Sequence, residues 1–393
     1  MKPVHLTKAE DRIYDGEGGW AQQTSMKILV RLGELFGAEK LIPIDSAHVS
    51  GVSYKTLGDA PIDFLKAFAD SGARVRVRTT VNPQSLDLEY LAGKVPQNLR
   101  EKQLTILDQF RRMKMINSLT CTPYYLKKPV RGAHLAWAES SAVVYTNSIL
   151  DSFTNREGGP SALAAAIIGK TPDYGIHRPE NRRPTVLVNL ESSLRNETEF
   201  GALGIHLGKI LENKIPSIPA LRNSNESELK QFGAALGTSG MVNMFRRRLA
   251  TKKSATEEID VEYQDVRRTA ESLSTASNRN PDLVFLGCPH CSSQEIKQIA
   301  GLIKGRKVKS GLEFWVCTSC HVKNIENQSV MQIEACGGHV LAGVCTVVSW
   351  TEKLGIDTIM TNSAKTAYYA PTLNKAKTIL APLSQCLDTA LKG

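Results

Sequence analysis

Between residues 40 and 80 the chain runs "KLIPI", "DSAHVSGVSYKTLGD", "APIDFLKAFADSG" and "ARVRVRTT": a short apolar strand, a Ser/Gly-rich loop, a helix, and a strand alternating with period two. That order specifies an α/β fold, whose functional loops gather at the carboxyl ends of strands. Upstream, Thr7 and Glu10 stand at capping-box spacing, and "AQQTSMKILVRLGELFG" keeps helical periodicity until Gly37. The pattern recurs in "HLAWA", "ESSAVVYTNSIL" and "TNREGGPSALAAAIIGK", where Pro160 opens a helix and Gly169 ends it. "RPTVLVNL" is another strand, and "GALGIHLGKIL" and "ELKQFGAALG" are helical. From about 246 to 281 the chain turns polar and charged; beyond it "PDLVFLGC", "SSQEIKQIAGLIKG", "LEFWVC" and "GIDTIMTNS" form an α/β unit closed by one helix, "TLNKAKTILAPLSQCLDTAL". The expected domains are 1–130, 131–280 with a polar linker at its end, and 281–393.

A chain of 393 residues exceeds one ordinary core. It has 41% hydrophobic and 22% charged residues, the balance of a soluble globular protein, and no apolar stretch of the ~20 residues a membrane span requires. The opening "MKPVHLTKAEDRIYDGEGG" lacks the apolar core of a signal peptide, which predicts a cytoplasmic protein. The net charge of +10 fits nucleic acid, an anionic small substrate or an acidic partner. The densest basic run, "RRRLATKK" at 246–253, has no aromatic interleaving and reads as a solvated linker.

Eight cysteines in a chain this long do not suggest a disulfide scaffold; clustered, they point to metal binding or catalysis. Cys288, Cys291, Cys317 and Cys320 have zinc-ribbon spacing, which with the positive charge gives one reading, a zinc-ribbon nucleic-acid-binding protein. Their context opposes it. Both pairs cap buried strands, with no glycine knuckle, and Cys288 lies where a strand hands over to a helix. Cys121 in "SLTCTPYY" and Cys345 in "LAGVCTVVS" also follow turns, whereas Cys386 on the last helix reads as a small core residue.

"IPIDSAHVSGVSYKTLGDAPIDFL", "TVNPQSLDLE", "TCTPYY", "AWAESSAVVYTNSIL", "TNREGGPSALAAAIIGKTP", "GCPH" and "GVCTVVS" together resemble the large, catalytic part of aconitase X, in order from about residue 5 to the C-terminus. The resemblance implies an aconitase-like α/β fold, with several three-layer α/β/α domains around a central iron–sulfur cleft. It implies a 4Fe–4S cluster on Cys121, Cys288 and Cys345, with Cys291 and Cys320 left to a disulfide or stray metal. It further implies a hydro-lyase, most similar to the archaeal branch that dehydrates 5-phosphomevalonate, with a hydroxyproline as the alternative substrate. The expected partners are a separate small subunit bearing the swivelling domain and its serine base, and an anionic small molecule, not nucleic acid or a membrane.

The loop "HVSGVSYK" can offer an anion backbone N–H groups at Gly51, the Ser53 hydroxyl and the Lys55 charge; by residue pattern it could equally be an ordinary turn. The resemblance makes Gly51, Val52 and Ser53 substrate contacts, with Asn82 and Pro83 on the adjacent loop. Ser140 and Ser141 could hold substrate, or one of them could be only an N-cap. Lys365, past a strand end, is the candidate anion contact. His48, His134, His290 and His339 read as hydrogen-bonded structural residues.

Overall fold

The computed structural model describes residues 4–87, 89–248, 256–277 and 280–392. Thr7 and Glu10 form the capping box of the first helix, Lys8–Asp15, and the helix Trp20–Phe36 ends at Gly37 with φ +70°. A three-stranded parallel sheet follows, in the order Arg78–Val81, Ser46–Val49, Leu135–Trp137. Its central strand falls where the sequence predicts a loop. "SAHV" has little strand propensity, but it is paired on both sides and three of its four residues are buried, so tertiary context overrides local preference. The expected first strand is diverted: Leu41–Pro43 pairs antiparallel with Lys170–Pro172. The helices Trp20–Phe36, Ala60–Asp70, Gln97–Arg112 and Gly159–Ile168 share one apolar core with this sheet. That core therefore extends well past residue 130.

A second parallel sheet orders Pro216–Ser217, Val186–Leu190 and Glu257–Val261. Against it pack the helices Glu197–Leu211 and Glu226–Ser239, capped by Asn196 and Asn225. They approach so closely that a Cβ on Gly204 would lie 2.5 Å from the Phe232 carbonyl. Of the basic run, Arg246 hydrogen-bonds Asp151, and residues 249–253 lie outside the described residues.

The third sheet has five parallel strands in the order His339–Ala342, Glu313–Thr318, Leu283–Cys291, Thr358–Thr361, Lys377–Leu380. The central strand is the first in sequence and is buried at all nine positions. The winding reverses beside it, and the crevice beyond the carboxyl ends at such a switch point is where open α/β sheets place ligands. The expected closing helix is split. Its first two residues end the helix Ala364–Leu373, Lys377–Leu380 becomes an edge strand and Leu383–Ala390 is a separate helix, because "KTIL" is β-favouring and Pro382 restarts the chain at a helix N-cap. The first and third sheets turn their carboxyl ends toward each other, and the loops from those ends interlock.

Candidate active site

From the first sheet, Ser46–Val49 leads into Gly51, Val52 and Ser53; Arg78–Val81 into Asn82 and Pro83; and Leu135–Trp137 into Glu139, Ser140 and Ser141. From the third come Cys288 within its central strand, Cys345 after His339–Ala342, and Lys365 after Thr358–Thr361. Cys121 joins them because the Thr120 N–H donates to the Val81 carbonyl at 3.0 Å, setting that loop at the end of the first sheet.

Glu139 ties the two halves together. Lys365 Nζ donates to its Oε1 at 2.7 Å, and the Ser141 hydroxyl and N–H donate to the same oxygen at 2.9 and 3.3 Å. Asn82 Nδ2 donates to Oε2 at 2.8 Å. A carboxylate can only accept, so Asn82 turns its Oδ1 to His48 Nε2, 2.7 Å away. This makes His48 the Nε2–H tautomer, with Nδ1 accepting from the Thr80 hydroxyl at 2.7 Å. Burial pushes His48 down to about 4, so it is neutral. Burial acts to raise the Glu139 pKa, but the Lys365 charge and the hydrogen bonds from Lys365, Asn82 and Ser141 carry it down to about 2. Burial also works against the charge on Lys365; Glu139, then the Cys288 and Cys121 sulfurs, outweigh it and raise its pKa.

The cysteine loops are stapled by His290. Its N–H donates to Cys121 Sγ at 3.2 Å, its Nε2 donates to the Val344 carbonyl at 2.7 Å, and its Nδ1 accepts from Thr120 Oγ1 at 3.3 Å. Cys345 N–H donates to the Gln84 carbonyl at 3.2 Å, and Gln84 N–H to the Gly343 carbonyl at 3.0 Å. Below the staple Lys230, fully buried, donates to the His290 carbonyl at 3.1 Å and pairs with Glu295. Cys121 and Cys288 are buried while Cys345 is only partly so, which leaves the open side of the knot at Cys345. Burial pushes the Cys121 thiol up and the Cys345 thiol up to about 12. Left to themselves these sulfurs stay protonated. A cationic metal centre would draw them to thiolate, and an N–H···S bond like that to Cys121 favours such a form. No group of three or more His, Cys, Asp or Glu among the described residues closes round a single metal ion. Cys288 nonetheless acts electrostatically on both Cys121 and Cys345, so the three sulfurs lie near one another, and thiol donors are the chemistry an iron–sulfur centre takes.

The expected sites sort unevenly against this geometry. Asn82, Ser141 and Lys365 meet on Glu139, and Pro83 and Ser140 flank them as buried residues. Gly51, at φ +82°, occupies a conformation only glycine adopts freely. Val52 buries its side chain in the core and accepts from Gln103 Nε2 at 2.8 Å, so only its backbone is available to a ligand. The Ser53 hydroxyl donates to the Val348 carbonyl at 2.9 Å. Lys55 departs from expectation: it donates to the Ser349 carbonyl at 2.5 Å and pairs with Glu352 at 2.8 Å, clamping its loop to the segment after Cys345. The helix Ser140–Tyr145 is capped by Glu139, so neither serine is the N-cap.

The zinc-ribbon reading fails on geometry. Cys288 and Cys317 face one core and Cys291 another, as three-residue spacing along a strand requires, and Cys320 is exposed. Cys291 and Cys320 are both free. Glu139 and Lys230 were not singled out in the sequence. Glu139 had a signal, an acidic residue directly after the strand "LAW"; Lys230, mid-helix in "ELKQFGAALG", had none.

Strand ends that gather cysteines and a buried ion pair between two parallel sheets give an α/β architecture, and sequence similarity over nearly the whole length fixes the family: the chain belongs to the aconitase X family. The first, second and third domains of aconitase X match residues 3–180, 184–271 and 281–392. The phosphomevalonate dehydratase large subunit of Methanocaldococcus jannaschii is 42% identical, over 98% of this chain and 99% of that protein. The protein of the same description from Methanothermobacter thermautotrophicus is also 42% identical, over 94% of each chain. The cis-3-hydroxy-L-proline dehydratase of Pseudomonas aeruginosa is 34% identical over 99% of this chain but 70% of its own length. The crystal structure of Thermococcus kodakaraensis aconitase X in its holo-form superposes with a TM-score of 0.91 at 39% identity, covering 98% of this chain and all of that one.

Proposed function

We propose that the chain is the large subunit of a phosphomevalonate dehydratase, a hydro-lyase converting (R)-5-phosphomevalonate to trans-anhydromevalonate 5-phosphate in isoprenoid synthesis. The observation that carries the substrate is coverage together with identity. Five archaeal relatives of that description match at 36–42% identity with 94–99% of their own length covered. The hydroxyproline dehydratases match at 30–34%, with only 69–70% covered. The description of the archaeal relatives as large subunits supports a separate small subunit as partner. No helix among the described residues is long and apolar enough to cross a membrane, and we place the enzyme in the cytoplasm.

Cys121, Cys288 and Cys345 would hold a 4Fe–4S cluster, which when bound supplies a Lewis-acidic iron that weakens the bond to the departing hydroxyl. The rest falls to protein groups. Lys365 has N–H bonds beyond the one spent on Glu139 and donates them to one anionic end of the substrate. The Gly51–Ser53 backbone and Asn82 hold the opposite end. Loss of water breaks the C3–O bond, and a proton leaves C2 while its electron pair forms the C2–C3 double bond. Glu139, Lys365 and His48 do not suit the role of base. Glu139 is too weak at about 2, Lys365 stays protonated, and both His48 nitrogens are engaged. We assign the base to the small subunit, as the resemblance to aconitase X implies. Anaerobic co-expression with the small subunit, then assay of both substrates, tests the reading. Water loss from 5-phosphomevalonate is expected; turnover of cis-3-hydroxy-L-proline alone would overturn it.

A further inference from the structure

We propose that Glu139 is the positioning residue of this cleft, a single carboxylate that fixes Lys365, Asn82 and Ser141 in one arrangement before substrate arrives. The proposal rests on the reading above only for which molecule enters the cleft.

Three observations carry it. Glu139 receives four hydrogen bonds, from side chains or backbone on three separate loops: Asn82 after one strand of the first sheet, Ser141 beside itself, and Lys365 from the third sheet. Its side chain is only 11% exposed and that of Lys365 14%, so neither charge could sit there without the other. Its oxygens are also divided by task. Oε1 takes Lys365 and Ser141, whereas Oε2 takes the Asn82 amide, whose oxygen is already committed to His48. Because Asn82 must give Nδ2 to the carboxylate, its amide cannot flip, and the Thr80–His48–Asn82 row aims at one atom.

An ammonium held this way presents its remaining N–H bonds in fixed directions, and little reorganisation is left for the reaction to require. Glu139 acts through its neighbours and touches no reacting atom. The pairing also fits an anionic substrate. Glu139 already neutralises Lys365, so the lysine serves as an oriented donor rather than a bare charge that any anion would occupy.

Two variants and two readouts test this. Glu139→Gln keeps the shape but removes the charge opposite Lys365. Glu139→Asp keeps the charge and, one methylene shorter, cannot reach all three partners. In the complex with the small subunit, kcat/KM is expected to fall about 100-fold in both, the scale of a misplaced reacting group, mostly through kcat. In the cluster-free chain, amine-directed labelling of Lys365, followed by mass spectrometry, should run at least about tenfold faster in Glu139→Gln, because each pKa unit lost is tenfold more free amine. Labelling in Glu139→Asp should stay near that of the parent protein. If Glu139→Gln does not fold, Glu139→Asp decides alone through its kcat/KM. Kinetic constants within twofold of the parent in the folded variants, or Lys365 labelling unchanged in Glu139→Gln, would overturn the proposal. A parent enzyme inert toward 5-phosphomevalonate, but with Lys365 labelling raised in Glu139→Gln, supports the positioning role while removing the substrate reading.

Discussion

Lys365 Nζ and Glu139 Oε1 lie 2.7 Å apart with both side chains nearly out of solvent, so neither can be removed without stranding the other. Lys365→Ala should cost about 3–5 kcal/mol in urea unfolding, the usual penalty for leaving half of a buried pair. The same pair makes stability depend on pH. The Glu139 pKa is depressed from 4.5 to about 2, so its contribution is complete above pH 4.5 and drains away as pH falls toward 2. That of Lys365 is raised, so its contribution is complete below pH 10.5 and fades as pH rises beyond it. Acid titration of stability should therefore be shallower in Lys365→Ala than in the parent. Among the thiols, Cys121→Ser, Cys288→Ser and Cys345→Ser should each abolish iron and sulfide content after anaerobic reconstitution, while Cys291→Ser and Cys320→Ser retain it. Iron lost in Cys291→Ser but kept in Cys345→Ser would reassign the ligands. The cysteines stand out in the sequence as turn-flanking residues. Glu139 does not, because a lone acidic residue after a strand is usually a cap or a surface charge.

At the scale of elements, the strand Leu283–Cys291 carries the most constraint. Gly287 sits at φ +102°, and a Cβ there would collide with the Cys317 carbonyl across a bulge in the pairing. Gly287→Ala combines left-handed strain with overpacking, each on the order of 1–3 kcal/mol, and should both destabilise the fold and lower iron content, since Cys288 is its neighbour. Gly204→Ala offers the contrast. It should destabilise by a similar amount through the Phe232 carbonyl, yet leave iron binding intact in whatever protein folds. Thermal unfolding paired with iron analysis separates the two. Helix limits at Gly37, Pro160 and Gly169 were legible because each has a local chemical cause. The strand "SAHV" was not legible, since its pairing partners come from residues 78–81 and 135–137.

At the scale of the whole molecule, two parallel sheets meet carboxyl end to carboxyl end, and every loop of the cleft is held by a partner from the other side. Ser53 reaches Val348, Lys55 reaches Glu352, Lys365 reaches Glu139, and His290 reaches Cys121. Such a junction should form without help. The chain alone is expected to unfold as a cooperative unit and to take up iron, yet to turn over no 5-phosphomevalonate until the small subunit supplies the base and excludes water. Turnover by the isolated chain would refute that division.

The α/β class, the helix limits at Thr7, Gly37, Pro160 and Gly169, the candidate cysteines and the loops after strands followed from the sequence alone, because periodicity, caps and motif residues act over a few positions. The tertiary structure alone decided that Lys55 serves a clamp while Lys365 pairs with Glu139, and that Glu139 joins loops 57 and 226 residues away. Those outcomes depend on burial and on distances between remote strand ends. A charge's partner and its solvent exposure exist only once the two sheets have met.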